Sequence, residues 1–228
     1  MLTLAIETSG LVGSLALFAE TGSLAERGLE LGVHHGQSLV PELRRLFVEL
    51  GRAPRDCEVI AVSTGPGSFT GLRVGVVCAK TWAFATGCRL VAVDTHQAIA
   101  GNTPDGVGVV QIVSEAQRGD VFFTRYERTA DGLWQALDSM RFLPAGDWIA
   151  TLGSQDTVSG PGLVKLAAQV AGRCGILDQS CWFPHARIVA RIGMDLANKG
   201  AWADPWSLEP LYVRRSSAEE KWDLRKRP

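Results

Sequence analysis

Apolar residues along this chain keep two rhythms, short runs of period two and longer stretches near period 3.6, and the order of the rhythms predicts the elements. Leu2-Thr3-Leu4-Ala5-Ile6-Glu7 and Gly13-Ser14-Leu15-Ala16-Leu17-Phe18 are predicted strands about the turn Thr8-Ser9-Gly10. Thr21-Gly22 then turns the chain into a third strand at 24–31, an antiparallel meander. With Ser38 as N-cap, Leu39, Val40, Leu43, Leu46, Phe47 and Leu50 recur at helical spacing until Gly51 stops them. Val59 to Ser63 is a short buried strand. It ends in Thr64-Gly65-Pro66-Gly67-Ser68-Phe69-Thr70-Gly71, after which Leu72 to Thr86 is helical up to Gly87. Leu90 to Val93 returns as a strand, and Thr95 caps one more short helix.

Strand, strand, strand, helix, strand, helix, strand is the order of a ribonuclease H-like lobe, a mixed sheet with helices on its faces. Gly101-Asn102-Thr103-Pro104-Asp105-Gly106 clusters turn formers and divides the chain into lobes 1–103 and 104–228. Val107 to Val113, Val121 to Tyr126 and Gln135 to Leu143 repeat the three-strand opening, with turns at Arg118-Gly119-Asp120 and Ala130-Asp131-Gly132. Helices at 147–152, 163–172 and 185–200 complete a degenerate second copy, and the segment Trp202 to Arg214 is expected to fold back over the sheet. The fold class expected is α/β, two ribonuclease H-like lobes of the actin-like ATPase superfamily.

Composition narrows the function more than the fold. At 228 residues and 46% hydrophobic, the chain can bury one compact core or those of two lobes of about 100 residues each. A formal net charge of -1 gives no overall attraction to nucleic acid or to an anionic membrane, so such contact needs a local patch or a partner. Lys221-Trp222-Asp223-Leu224-Arg225-Lys226-Arg227 is the one basic cluster and reads as a solvated terminus. No run approaches the roughly 18 apolar residues of a membrane span. Leu2 to Ile6 follow Met1 without a basic n-region, so the start reads as a strand rather than a leader. Cys57, Cys78, Cys88, Cys174 and Cys181 are odd in number and never form a Cys-x-x-Cys pair, which argues against a disulfide framework or a zinc knuckle. Reduced thiols fit a cytoplasmic protein.

The glycine-rich stretch 65–71 invites a phosphate-loop reading, because such a turn feeding a helix presents N–H groups and a positive dipole end to an anion. It lacks Gly-x-x-x-x-Gly-Lys-Ser/Thr and Gly-x-Gly-x-x-Gly, and Pro66 removes one donor, so a tight turn with Ser68 or Thr70 capping the helix is the plainer reading. The helix behind it is apolar nearly all round, with Arg73 and Lys80 as its charges and Gly75, Ala79 and Ala83 small at spacing four. Such a helix is either internal or meets another helix closely. A partner surface is therefore expected on Leu72, Gly75, Val76, Ala79, Trp82 and Ala83, joined by Leu39, Leu43, Leu46 and Phe47 of the preceding helix as half of an intermolecular four-helix bundle. Arg at 79 or Trp at 75 would then block pairing and leave the fold intact.

Glu7, Thr8 and Ser9 stand where an actin-like ATPase holds a magnesium-linked carboxylate, and are the vestigial cofactor-binding candidates. The matching turn Ser114-Glu115-Ala116-Gln117-Arg118-Gly119 lacks an Asp-x-Gly hairpin, leaving half a phosphate clamp. His34 and His35 are adjacent and point apart, a loop pair rather than a metal site, and His96 and His185 sit near predicted helix starts, where capping is the plain role. Ser159-Gly160-Pro161-Gly162 is open between the remnant of an adenosine-binding turn and a plain helix entry. No Gly-x-Ser-x-Gly or local Cys/His signature is present.

Leu4-Ala5-Ile6-Glu7-Thr8-Ser9, Ser38-Leu39-Val40-Pro41 and above all the string from Gly65 to Gly75 with Ala79-Lys80 resemble the TsaB family. Pro210-Leu211-Tyr212-Val213-Arg214 is similar to that family's C-terminal signature. The resemblance implies a non-catalytic subunit for threonylcarbamoyladenosine modification of tRNA adenosine 37, without a cofactor or catalytic residues of its own. It implies pairing with the catalytic paralogue TsaD, recruitment of the ATPase TsaE, contact with tRNA through the complex, and a possible homodimer when alone. The family's usual Asp is Glu7 here, and its usual Asp-Ala-Arg is Glu115-Ala116-Gln117. An active ATPase or small-molecule kinase of the same superfamily is the alternative, and a protease acting on the paralogue finds no nucleophile constellation.

Overall fold

The computed structural model describes residues 1–29, 35–116 and 118–211. The first half runs β1 (Thr3–Glu7), β2 (Ser14–Ala19), β3 (Gly22–Gly28), α1 (His35–Glu49), β4 (Val59–Gly65), α2 (Phe69–Thr86), β5 (Arg89–Asp94) and α3 (Thr95–Ala100). β1 lies antiparallel to β2 and parallel to β4, giving the order β3-β2-β1-β4-β5. The second half runs β6 (Val109–Glu115), β7 (Asp120–Arg128), β8 (Trp134–Ala136), β9 (Arg141–Pro144), α4 (Ala145–Ala150), β10 (Thr157–Ser159), α5 (Leu163–Val170), β11 (Gly175–Ile176) and α6 (Ala186–Asn198). Its sheet is ordered β11-β10-β6-β7-β8, with β9 also on β7. With β8 and β9, which both pair with β7, counted as one third strand, both sheets read third, second, first, fourth, fifth, so the internal repeat is one of topology as well as of pattern.

Alternation in β1 sets up two cores. Leu4 and Ile6 face α1 and α2, where they join Leu15, Leu17, Leu39, Leu43, Leu46, Ile60, Val62, Val76 and Ala79. Ala5 faces the other way with Ala16, Ala61, Val91 and Val93, and α6 covers them through Ala186, Val189, Ala190 and Ile192. Small residues on that side of the sheet let α6 come close: a Cβ on Gly193 would stand 2.4 Å from the Ala61 Cβ.

Packing crosses the expected division at residue 103. α6 belongs to the second half of the chain and packs on the first sheet, while Ile99 and Ala100 of α3 pack on the second with Val110, Ile112, Tyr126 and Trp134. The two halves exchange a helix, because each sheet has a second apolar face that its own half leaves bare.

Three local expectations also shift. Ser38 lies inside α1, which starts three residues earlier. The cap of α3 is Asp94, whose carboxylate accepts from Gln97 N, while Thr95 accepts from Gly65 N instead. The strand expected at 135–143 is divided into β8 and β9, and β10 and β11, three and two residues long, were too short to show a period. The C-terminal segment does fold back as far as Leu211: Ala203 N donates to Leu90 O and Leu211 N to Thr64 O. Tyr212 to Arg214, the basic cluster 221–227 and His34 lie outside the described residues.

Candidate functional site

The turn after β1 and the glycine loop after β4 close on each other. Thr8 Oγ1 donates to Gly71 O at 2.8 Å, and Ser68 N donates to Ser9 O at 2.7 Å. A Cβ would stand 2.6 Å from Ser9 O if placed on Gly67, 2.0 Å from Thr8 O on Gly71, and 2.2 Å from Thr8 Oγ1 on Gly75. Those three glycines are glycines because the Thr8-Ser9 backbone and the Thr8 hydroxyl occupy the space. Ser68 caps α2 by accepting from Gly71 N at 3.2 Å. The loop that looked like a phosphate cradle is therefore filled by its own chain.

The second half repeats the device. The Gly160-Pro161-Gly162 turn between β10 and α5 lies against β6, where Gly162 N donates to Val113 O at 3.0 Å. A Cβ on Gly160, whose φ is +118, would meet Val113 O at 2.3 Å. Of the two readings left open for this turn, helix entry is the one the packing supports.

Glu7 is fully buried. Its Oε1 accepts from both Ser9 N and Ser9 Oγ. Burial pushes its carboxyl above the usual range, against the pull of the Ser63 and Ser9 hydroxyls, the Ser9 N–H and the His35 ring. Neither Glu7 Oε2 nor Ser63 Oγ has a partner in good hydrogen-bond geometry. His35 opens α1 and ties it to the turn through Nε2 and Gly10 O, 3.0 Å apart. Around this turn the outward side chains are Leu11, 90% exposed, and Val12. In the matching turn of the second half, at the end of β6, Glu115 pairs with Lys165 at 2.7 Å. A sealed carboxyl, two filled glycine turns, an apolar hairpin tip and a neutralised lysine do not fit the triphosphate and magnesium ion that actin-like ATPases hold.

A serine does meet an imidazole where the sequence showed no such pair. His96, fully buried, contacts Ser114 Oγ through Nε2 and lies 3.3 Å from Thr124 Oγ1 through Nδ1. Burial pulls its pKa down to about 3, so the ring stays neutral and is too weak a base to activate a hydroxyl. Among the described residues no group of three or more His, Cys, Asp or Glu could hold a metal ion.

The residues expected to form a partner surface are mostly inside the lobe. Leu39, Leu43, Leu46, Phe47, Leu72, Gly75, Val76, Ala79 and Ala83 are buried, and Trp82 is half-buried with its ring 5.2 Å from that of Phe47 between α1 and α2. Gly71 and Gly75 serve close approach to β1 and its turn and Ala79 is fully buried in the core, so Trp at 75 or Arg at 79 would strike the core. The outward apolar side chains of the same two helices are Val40 and Val48 on α1 and Val77 and Phe84 on α2. Both helices cover one face of the first sheet, so these four point away from it together. A strap from Ala203 to Leu211 borders them: Lys80 Nζ donates to Leu208 O at 3.0 Å and to Trp206 O at 3.4 Å. Trp206, 81% exposed, sets its ring edge-on to Phe84, 5.9 Å between centroids, and Phe84 is itself 74% exposed. Phe84 and Trp206 were missed in the sequence. The available signal was an aromatic seven residues after Val77, on the side of the helix where Arg73 and Thr81 also lie.

The family model described as TsaD, tRNA N6-adenosine threonylcarbamoyltransferase, matches residues 30–144. The chain is 30% identical over 232 residues to the tRNA threonylcarbamoyladenosine biosynthesis protein TsaB of Bacillus subtilis (strain 168), covering 97% of this chain and 98% of that protein. It is 24% identical over 234 residues to the protein of the same description from Escherichia coli (strain K12), with the same coverage. A shorter stretch, 109 residues at 35% identity, matches a tRNA N6-adenosine threonylcarbamoyltransferase of Solidesulfovibrio magneticus over 41% of this chain and 29% of that one. Among solved structures, YeaZ from Pseudomonas aeruginosa superposes with a TM-score of 0.81 at 26% identity, covering 93% of this chain and 99% of that one.

Proposed function

Because the chain belongs to the TsaB proteins of tRNA threonylcarbamoyladenosine biosynthesis, within the wider TsaD family, we propose that it serves that pathway as a non-catalytic assembly subunit. It pairs with a TsaD-type catalytic paralogue, helps recruit a TsaE-type ATPase, and meets tRNA through the complex. The observation that carries this reading is a contrast within one lobe. The places where a relative would hold phosphates are filled by Thr8, Ser9 and Val113, while α1 and α2 turn Val40, Val48, Val77 and Phe84 to solvent. A face of that kind fits another helix pair better than a polar ligand.

Reconstitution tests it. The purified chain alone is expected neither to hydrolyse ATP nor to modify tRNA, and to restore modification when added to the other components. Val77→Asp with Phe84→Asp is expected to weaken pairing by roughly thirtyfold, about 2 kcal/mol, and to leave the circular dichroism unchanged. Modification that proceeds equally well without the chain sinks the assembly role. ATP hydrolysis by the chain alone, lost on Glu7→Ala, would establish the kinase or ATPase reading instead.

A further inference from the structure

α3 is the piece of the first half that reaches the second sheet. Ala98 packs in the apolar layer between the first sheet and α6, while Ile99 and Ala100 pack among Val110, Ile112, Tyr126 and Trp134. A six-residue helix with one flank on each lobe is, on apolar contacts alone, a bearing about which the lobes can turn. Apolar packing is non-directional and resists such rotation weakly.

Hydrogen bonds at its first turn are directional. The Tyr126 hydroxyl on β7 donates to Asp94 Oδ1 at 2.8 Å, and the same oxygen caps the helix by accepting from Gln97 N at 2.7 Å. The His96 ring spans Ser114 on β6 and Thr124 on β7. Gln97 Nε2 donates to Trp134 O on β8 at 2.7 Å. Three residues within 94–97, Asp94, His96 and Gln97, thus hold three adjacent strands of the opposite sheet. The neutral imidazole offers one donor and one acceptor, and a hydroxyl stands at each. Turning the lobes would strip partners from groups that are buried or nearly so, where an unmade hydrogen bond is expensive.

We propose that the first turn of α3 is a cross-lobe lock, in which Asp94, His96 and Gln97 fix the two sheets in one relative orientation and make the lobes a single cooperative unit. The full chain is expected to melt in one calorimetric transition, with calorimetric and van't Hoff enthalpies equal. Tyr126→Phe combined with Gln97→Ala leaves both apolar cores in place and removes two of the ties. That variant is expected to show two transitions separated by about 5 °C or more and a larger radius of gyration by X-ray scattering. If it fails to fold, Tyr126→Phe alone is expected to raise amide exchange in β7 and β8 about tenfold relative to β1 and β4, the loss of one hydrogen bond. A native chain that already melts in two steps overturns the lock. So does a double variant that keeps one transition and the native radius, or a Tyr126→Phe variant whose exchange rises equally in both sheets.

Discussion

Thr8 and Gly75 share one space: the Thr8 hydroxyl stands 2.2 Å from the point a Cβ on Gly75 would occupy, and it is held there by its bond to Gly71 O. Gly75→Ala raises helix propensity by about 1 kcal/mol but drives a methyl group into a buried hydroxyl. A net loss of about 1–3 kcal/mol is expected in guanidinium unfolding. Thr8→Ala with Gly75→Ala, which removes the clashing hydroxyl, should recover part of it, and no recovery would show that the clash is relieved elsewhere.

Lys80 holds the strap 203–211 against α2 through two carbonyls. Lys80→Met keeps the aliphatic stem and removes the donor. Proteolysis between Ala203 and Leu211 is expected to speed up roughly tenfold while the global unfolding midpoint hardly moves. An unchanged cleavage rate would mean that the Ala203 and Leu211 backbone bonds suffice.

His96 sets the acid side of stability. Its folded pKa is about 3 against an ordinary 6.5, so between those values the unfolded chain takes up a proton that the folded chain refuses, and stability falls as the pH falls. The loss is on the order of 3 kcal/mol by pH 4. Glu7 and Asp94 act in the opposite sense. Burial raises both, so the folded state keeps protons the unfolded state releases, and their contribution is lost as the pH rises through the folded values. Unfolding midpoints from pH 4 to 8 are expected to decline toward acid, less steeply in His96→Gln. An identical slope in that variant would clear His96.

Outward and inward faces of the same helices should separate cleanly. Val48→Asp on α1 changes an exposed position and is expected to alter thermal stability by less than about 0.5 kcal/mol while weakening assembly. Leu43→Asp, five residues away and buried, is expected to abolish folding. Assembly unaffected by Val48→Asp would move the partner surface toward Phe84 and Trp206.

Much of the fold was legible because it rests on short-range rules. β1, β2, β4 and β5 are alternating or apolar runs bounded by turn formers, α2 has a serine cap and ends at Gly87 with φ of 75, and the repeat of the three-strand opening is visible in the second half. β10 and β11 were not, since two or three residues carry no period and exist only because Thr157 to Ser159 pairs with β6. Asp94 was passed over as a cap because Thr95 next to it is an equally good capping residue, and only the orientation of β5 into α3 chooses between them.

The sequence by itself determined the longer elements, their order, the duplication and the family, all of which follow from local periodicity and from a long specific string between Gly65 and Gly75. Tertiary structure decided which side of each element is inside. Gly71 and Gly75 of α2 meet Thr8 rather than another helix, and the Gly-Pro-Gly turns meet Ser9 and Val113 rather than a phosphate. α3 and α6 each cross to the other half's sheet. A small or apolar residue states only that something must come close to it. What comes close is fixed by chain segments tens of residues away, and that information is spread over the whole chain rather than held in any one motif.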